Sequence, residues 1–158
     1  MTQKYKVESF NLDHTKVTAP FVRLASKKVG PAGDIVTKFD IRVTQPNKEF
    51  MPTDSIHTIE HLAAEYLRDE IPSIIDFSPM GCRTGFYLTV FGDFSEKEIA
   101  SKMLNVMKKI ADWPADKVIP GQAVVECGNY LDHNLAGAKE IAKKWAEKIS
   151  VEGFNCFR

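Results

Sequence analysis

The sequence predicts an α+β fold: an antiparallel β-sheet with helices packed on one face, in a single domain over residues 1–158. Three observations predict it. Segments of strand and helix periodicity follow in the order β-β-α-β-β-α-β-α, without the strict alternation of a parallel sheet. Two strand pairs are joined by short glycine-containing connections, GPAGD and SPMGCRT. The composition is that of one ordinary globular domain: 158 residues, 44% hydrophobic and 27% charged. There is no internal repeat, low-complexity tract or long linker.

Phe21 to Lys28 reads as the first strand, and Gly30 to Asp34 as a turn. Ile35 to Thr44 alternates, with Ile35, Phe39, Ile41 and Val43 on one face and Lys38, Asp40 and Arg42 on the other. This pair is expected to form a hairpin with one solvated or functional face. The helix that follows is capped by Asp54 or Ser55. Its apolar arc is Ile56, Ile59, Leu62, Ala63, Tyr66 and Leu67. Ile74 to Phe77 and Gly85 to Gly92 are the next strands. Ser95 to Asp112 is a helix opened by Ser95 and Glu98 at capping-box spacing, with Ile99, Met103, Val106 and Ile110 as its stripe. Val118 to Cys127 is expected to be extended, and about Leu135 to Ile149 to be the last helix.

Lys and Arg number 21, and so do Asp and Glu. This balance gives no electrostatic reason to expect nucleic acid or an anionic membrane as partner. The lysines of KEIAKKWAEK are interspersed with glutamates, as on a solvated face. No apolar run reaches a membrane span, and the amino terminus lacks the apolar core of a signal peptide, so the expected location is cytoplasmic. Three widely spaced cysteines, Cys82, Cys127 and Cys156, are not a disulfide framework.

Chemistry concentrates in His57-Thr58-Ile59-Glu60-His61. At about 100° per residue the two rings lie roughly 40° apart, off the apolar arc. Histidines at this spacing can share a metal ion, with Glu60 beside it as a proton carrier; the alternative is two exposed histidines paired with acids such as Glu65. Cys127, in AVVECGNY, is either a buried small hydrophobe or a third, thiolate ligand. Cys82, in SPMGCRTG, is a candidate reactive thiol between glycines, with Arg83 placed to favour the thiolate. Cys156 reads as incidental.

HTIEHL, SPMGCRTGFY and ECGNY, in this order and at these separations, resemble the S-ribosylhomocysteine lyase family, LuxS. VESFNLDHTKVTAPFVR, KFDIR and QPNKEFM resemble its other signature stretches, so the likeness covers roughly residues 7 to 145. The resemblance implies cleavage of S-ribosyl-L-homocysteine to L-homocysteine and 4,5-dihydroxy-2,3-pentanedione, the precursor of autoinducer-2. It implies one divalent metal per subunit, iron(II) natively and zinc often after purification, on His57, His61 and Cys127. It implies Glu60 and Cys82 as catalytic groups, and a homodimer with its sites at the interface. By the same resemblance Ser9, His14, Arg42 and Asp76 line the substrate pocket. The sequence departs from the family pattern at Val43 and Thr44 and in its tail, VEGFNCFR. Two other readings stand beside this one. H-x-x-E-H also occurs in inverted zinc peptidases, which need an acidic third ligand. A non-enzymatic zinc module needs a closed four-ligand site, for which His133 is the remaining candidate. Arg42 is expected to pair with the substrate carboxylate or to steady Cys82 as an anion, against a surface ion pair with Asp40 or Glu49.

Overall fold

The computed structural model describes residues 4–158. Four strands, β1 (Phe21–Val29), β2 (Ile35–Arg42), β3 (Ile74–Pro79) and β4 (Gly85–Phe91), form one antiparallel sheet in the order β1-β2-β4-β3. Three helices, α1 (Thr53–Glu70), α2 (Glu96–Ala111) and α3 (Leu135–Glu152), complete the α+β architecture. A short 3-10 turn, Glu8–Phe10, precedes β1.

Phe39 and Ile41 of β2, and Phe86, Leu88 and Val90 of β4, share a core with the apolar stripes of all three helices. Alternation puts these residues on one sheet face, so the helices cover that face and no other. The stripe of α2 is fully buried, and Ser95 forms the expected capping box with Glu98. Helix α1 differs at its start. Its N-cap is Pro52, without a side-chain cap. Asp54 lies inside the first turn and holds the start of α3 instead, accepting from the Asn134 side chain at 3.2 Å.

The expected last strand is absent too. Val118 to Cys127 contains no strand. Gly121 has a φ of 69°, and turn hydrogen bonds from Gln122 to Ile119 and from Cys127 to Ala123 fold the segment back on itself. Its valines find no sheet partner and stay exposed, Val125 to 89%. Of the two expectations for the polar face of β2, solvated or functional, the first does not hold at its end: Asp40 and Arg42 are 0% and 1% exposed. Residues from the chain's two ends cover that side of the sheet. Glu8 pairs with Arg23 at 2.5 Å, and the tail carbonyls of Phe154 and Cys156 accept from Val22 and Thr18.

Gly85, at the start of β4, is paired with Arg42. A Cβ there would run into the Ile41 carbonyl oxygen and lie 3.0 Å from the Arg42 Cα. Gly85→Ala should force β2 and β4 apart, at a cost of about 2–3 kcal/mol. In a calorimetric scan this is a fall in melting temperature of roughly 4–12 °C; an unchanged melting temperature would show that the strands separate freely.

Candidate metal centre

Helix α1 presents His57 and His61 on one side, with ring centroids 4.6 Å apart. The irregular stretch between α2 and α3 brings Cys127 and His133 to them. One ligand atom from each of His57, His61, Cys127 and His133 lies within 4.8 Å of the others. His133 stacks on His57 at 4.1 Å between centroids. All four are half-buried.

Hydrogen bonds fix which nitrogen each ring offers. His57 Nδ1 lies 2.9 Å from the Asp132 carbonyl, and His61 Nδ1 lies 2.8 Å from the Pro120 carbonyl. A carbonyl oxygen only accepts, so both Nδ1 atoms carry hydrogen, and Nε2 is the nitrogen each ring has to offer an ion. His133 Nδ1 lies 3.2 Å from the Thr58 hydroxyl. That hydroxyl already donates to the Asp54 carbonyl at 2.8 Å and accepts from Asn134 N at 2.9 Å. Its hydrogen is committed, so His133 must donate as well. Burial lowers the His133 pKa, as does the nearness of His57 and His61, which disfavours its charged form. The Asn129 amide donates to the Cys127 sulfur at 3.4 Å. Three imidazoles that offer Nε2 and one cysteine sulfur fit a divalent transition ion of borderline softness. Gly121 permits the approach of His61, since a Cβ would stand 3.3 Å from its Nδ1.

Glu60 lies beside this group. It shares a cleft of about 350 Å³ with His61, Arg68, Asp76, Pro120 and Gly121. Burial raises the pKa of its carboxyl; His57 and His61 lower it and Asp76 raises it. The other expected site residues fall elsewhere. Cys82 is exposed, in the turn between β3 and β4, and is not part of the four-residue group. Arg83 points away from it: its backbone has a φ of 60° and its guanidinium covers the Phe50 ring at 4.5 Å. Arg42 holds Asp40 through two hydrogen bonds, of 3.1 and 2.7 Å, so the expected surface pair exists but is buried. Ser9 is in the 3-10 turn, and His14 contacts the Leu12 carbonyl at 2.9 Å, both before the β1 edge.

Periodicity alone did not reveal Thr58, whose hydroxyl sets the His133 tautomer. His133, the remaining candidate for a fourth ligand, is brought in by the fold of the preceding segment.

Cobalt(II) should bind at one equivalent per chain, with an intense near-ultraviolet thiolate charge-transfer band. Cys127→Ala should abolish that band and weaken binding by at least roughly a hundredfold, whereas Cys156→Ala should leave both unchanged. An unaltered spectrum in Cys127→Ala would remove the thiolate from the site.

The family model described as S-Ribosylhomocysteinase (LuxS) matches residues 7–154. A protein of Thermus thermophilus named S-ribosylhomocysteine lyase is 51% identical over 148 residues, covering 94% of this chain and 91% of its own. Proteins of the same name from Streptococcus uberis and Lactobacillus acidophilus are 47% and 48% identical. The alignments cover 98% and 94% of this chain, and 94% and 96% of theirs. A match of this extent to both the family model and its members places the chain in the LuxS family of S-ribosylhomocysteinases.

Proposed function

We propose that the protein is a carbon–sulfur lyase that cleaves S-ribosyl-L-homocysteine to L-homocysteine and 4,5-dihydroxy-2,3-pentanedione, the autoinducer-2 precursor. Family membership supplies the reaction class. The observation that carries the rest is the convergence of imidazole nitrogens and a cysteine sulfur beside a half-buried carboxylate. His57, His61 and Cys127 are the proposed ligands of one divalent ion per subunit, iron(II) or zinc, with one position left open for substrate; His133 lies beside them. When bound, such an ion supplies Lewis acidity toward the oxygens of the sugar.

The thioether does not break directly. The carbonyl of the open-chain sugar must first move from carbon 1 to carbon 3, through enediolates, by proton transfers between neighbouring carbons and oxygens. The proton on carbon 4 then becomes acidic, and its removal expels homocysteine thiolate from carbon 5. Each stage needs a group that takes a proton and returns it. Glu60 suits the elimination and protonation at oxygen, because burial pushes its carboxyl toward holding a proton. Cys82 is the proposed second carrier. Asp76 shares the cleft with Glu60 and is proposed to bind substrate there. Ser9 and His14 are proposed to complete the pocket. Arg42 is too enclosed to reach a substrate carboxylate, which favours its alternative role of steadying Cys82.

A homodimer with shared sites is proposed on the same positions. Ser9 and His14 precede β1, and Asp76 is on β3, the opposite edge strand. Three strand spacings, about 14 Å, separate those edges. A second copy can bring its β1 side to the first copy's metal side. Both surfaces carry exposed apolar residues, Phe10 beside Ser9 and Val124, Val125 and Leu131 around Cys127.

A thiol-release assay on S-ribosylhomocysteine tests the reading. Glu60→Gln and Cys82→Ala should each lower kcat by roughly 10²–10⁴-fold with metal retained; retained turnover would take that residue out of the mechanism. Mixing inactive His14→Ala and Glu60→Gln chains by denaturation and refolding should restore about a quarter of wild-type activity if one site draws on two subunits. No recovery would assign each site to a single chain.

A further inference from the structure

We propose that Thr84 is a positioning residue for Cys82, its hydroxyl locked by Arg42 so that it gives its one hydrogen to the cysteine sulfur. The proposal rests on Cys82 being a proton carrier in the reaction above.

Hydrogen-bond roles along a buried chain of residues carry it. Arg42 Nε donates to Asp40 Oδ1 at 3.1 Å and Nη2 donates to Oδ2 at 2.7 Å. This two-point pairing fixes the plane of the guanidinium. Arg42 Nη1 then points at Thr84 Oγ1, 2.7 Å away. A guanidinium has donors only and keeps its proton, so at this contact Thr84 must accept. Its own hydroxyl hydrogen is then available to the remaining neighbour, the Cys82 sulfur at 3.1 Å; either atom can donate while the sulfur is a thiol, but a thiolate can only accept, and then the hydrogen is Thr84's. Asp40, Arg42 and Thr84 are all buried, whereas Cys82 is exposed.

The backbone holds the relay in place. The Thr84 carbonyl accepts from Val43 and Thr44 at 2.9 and 3.1 Å, which ties it to the end of β2. The turn carrying Cys82 is closed by Arg83 N to Met80 O and Met80 N to Gly85 O, both at 2.9 Å. On the far side of β2, Trp145 of α3 donates to the Arg42 carbonyl at 2.9 Å. Arg83, the cation adjacent in sequence, covers Phe50 instead. The buried charge that governs the sulfur is therefore Arg42, acting at one remove through a hydroxyl. This arrangement leaves the sulfur open to a ligand on its exposed side while a donor is fixed on its buried side.

The test is the rate at which iodoacetamide alkylates Cys82 at fixed pH, resolved from Cys127 and Cys156 by peptide mass spectrometry. Thr84→Val should slow alkylation by roughly tenfold and move its pH profile to the alkaline side, whereas Thr84→Ser should stay within about twofold of wild type. In the lyase assay the Val variant should lose kcat with little change in KM. Where Thr84→Val melts early, Thr84→Ala is read in the same way, since it empties the position without crowding it. Wild-type alkylation in the folded variant that lacks the hydroxyl would overturn the proposal, and so would a Ser variant as slow as Val. Alkylation needs no turnover. A protein that released no thiol but kept the Val–Ser difference would lose the lyase reading and retain this one.

Discussion

Three imidazoles each give their Nδ1 hydrogen to an oxygen, and the chain around the site is arranged to supply those oxygens. Two are carbonyls, of Pro120 and Asp132, and the third is the Thr58 hydroxyl. A carbonyl in the middle of a strand or helix is occupied by its own ladder; one in a turn is free to take a side-chain donor. This is a physical reason for the stretch from α2 to α3 to remain irregular. It also explains why Asp54 is spent on Asn134 and not on capping α1. Tying the first turn of α1 to the start of α3 holds Asp132 and His133 in register with His57. Outer hydrogen bonds of this kind fix ring orientation and tautomer before any ion arrives.

The opposite face of the sheet shows a second constraint. Burying Asp40 and Arg42 costs desolvation, which only close pairing and further hydrogen bonds can offset. Both carboxylate oxygens of Asp40 are engaged by Arg42, and Arg23 adds a contact of 3.5 Å. Arg23 is in turn held by Glu8, which raises the pKa of its guanidinium against the opposing effect of burial. Charges therefore run from the 3-10 turn, through β1 and β2, to the edge of the Cys82 turn. The amino-terminal segment that carries Ser9 is anchored by the same charges that orient Thr84.

Much of this was legible in the sequence, and the exceptions share a cause. The helices announced themselves because apolar residues at helical spacing must be buried, and the stripe of α2 is. The position of His57 relative to His61 followed from helix geometry alone, and Cys127 followed from residue type and family likeness. Val118 to Cys127 misled because an apolar run signals burial in a sheet, and these valines are exposed. Residue type does not say whether such a run is covered by its own chain or, as proposed, by a second copy. Asp40 and Arg42 misled in the opposite sense: alternation identified their face correctly, but not that chain from both ends would cover it. Thr84 and Thr58 were invisible for a plainer reason. A hydroxyl acquires a direction only from its neighbours, and those come from positions 42 and 133.

The placement of Glu60 bears on how one helix would serve both the proposed ligation and the proposed proton transfer. At about 100° per residue it projects roughly 60° from His57 and 100° from His61. Pointing with both rings would make it a competitor for the ion; on the far side of α1 it would be buried among Ile59 and Leu62. The position it has borders the cleft with Asp76. Two opposing influences meet there. Burial and the Asp76 charge favour the protonated acid, whereas His57 and His61 favour the carboxylate. The net direction is upward: burial is the largest influence, so the carboxyl holds a proton more readily than a free one, and the two histidines limit that rise. The helix sets this balance by spacing, since the residues that would hold the ion are the same ones that restrain the carboxyl.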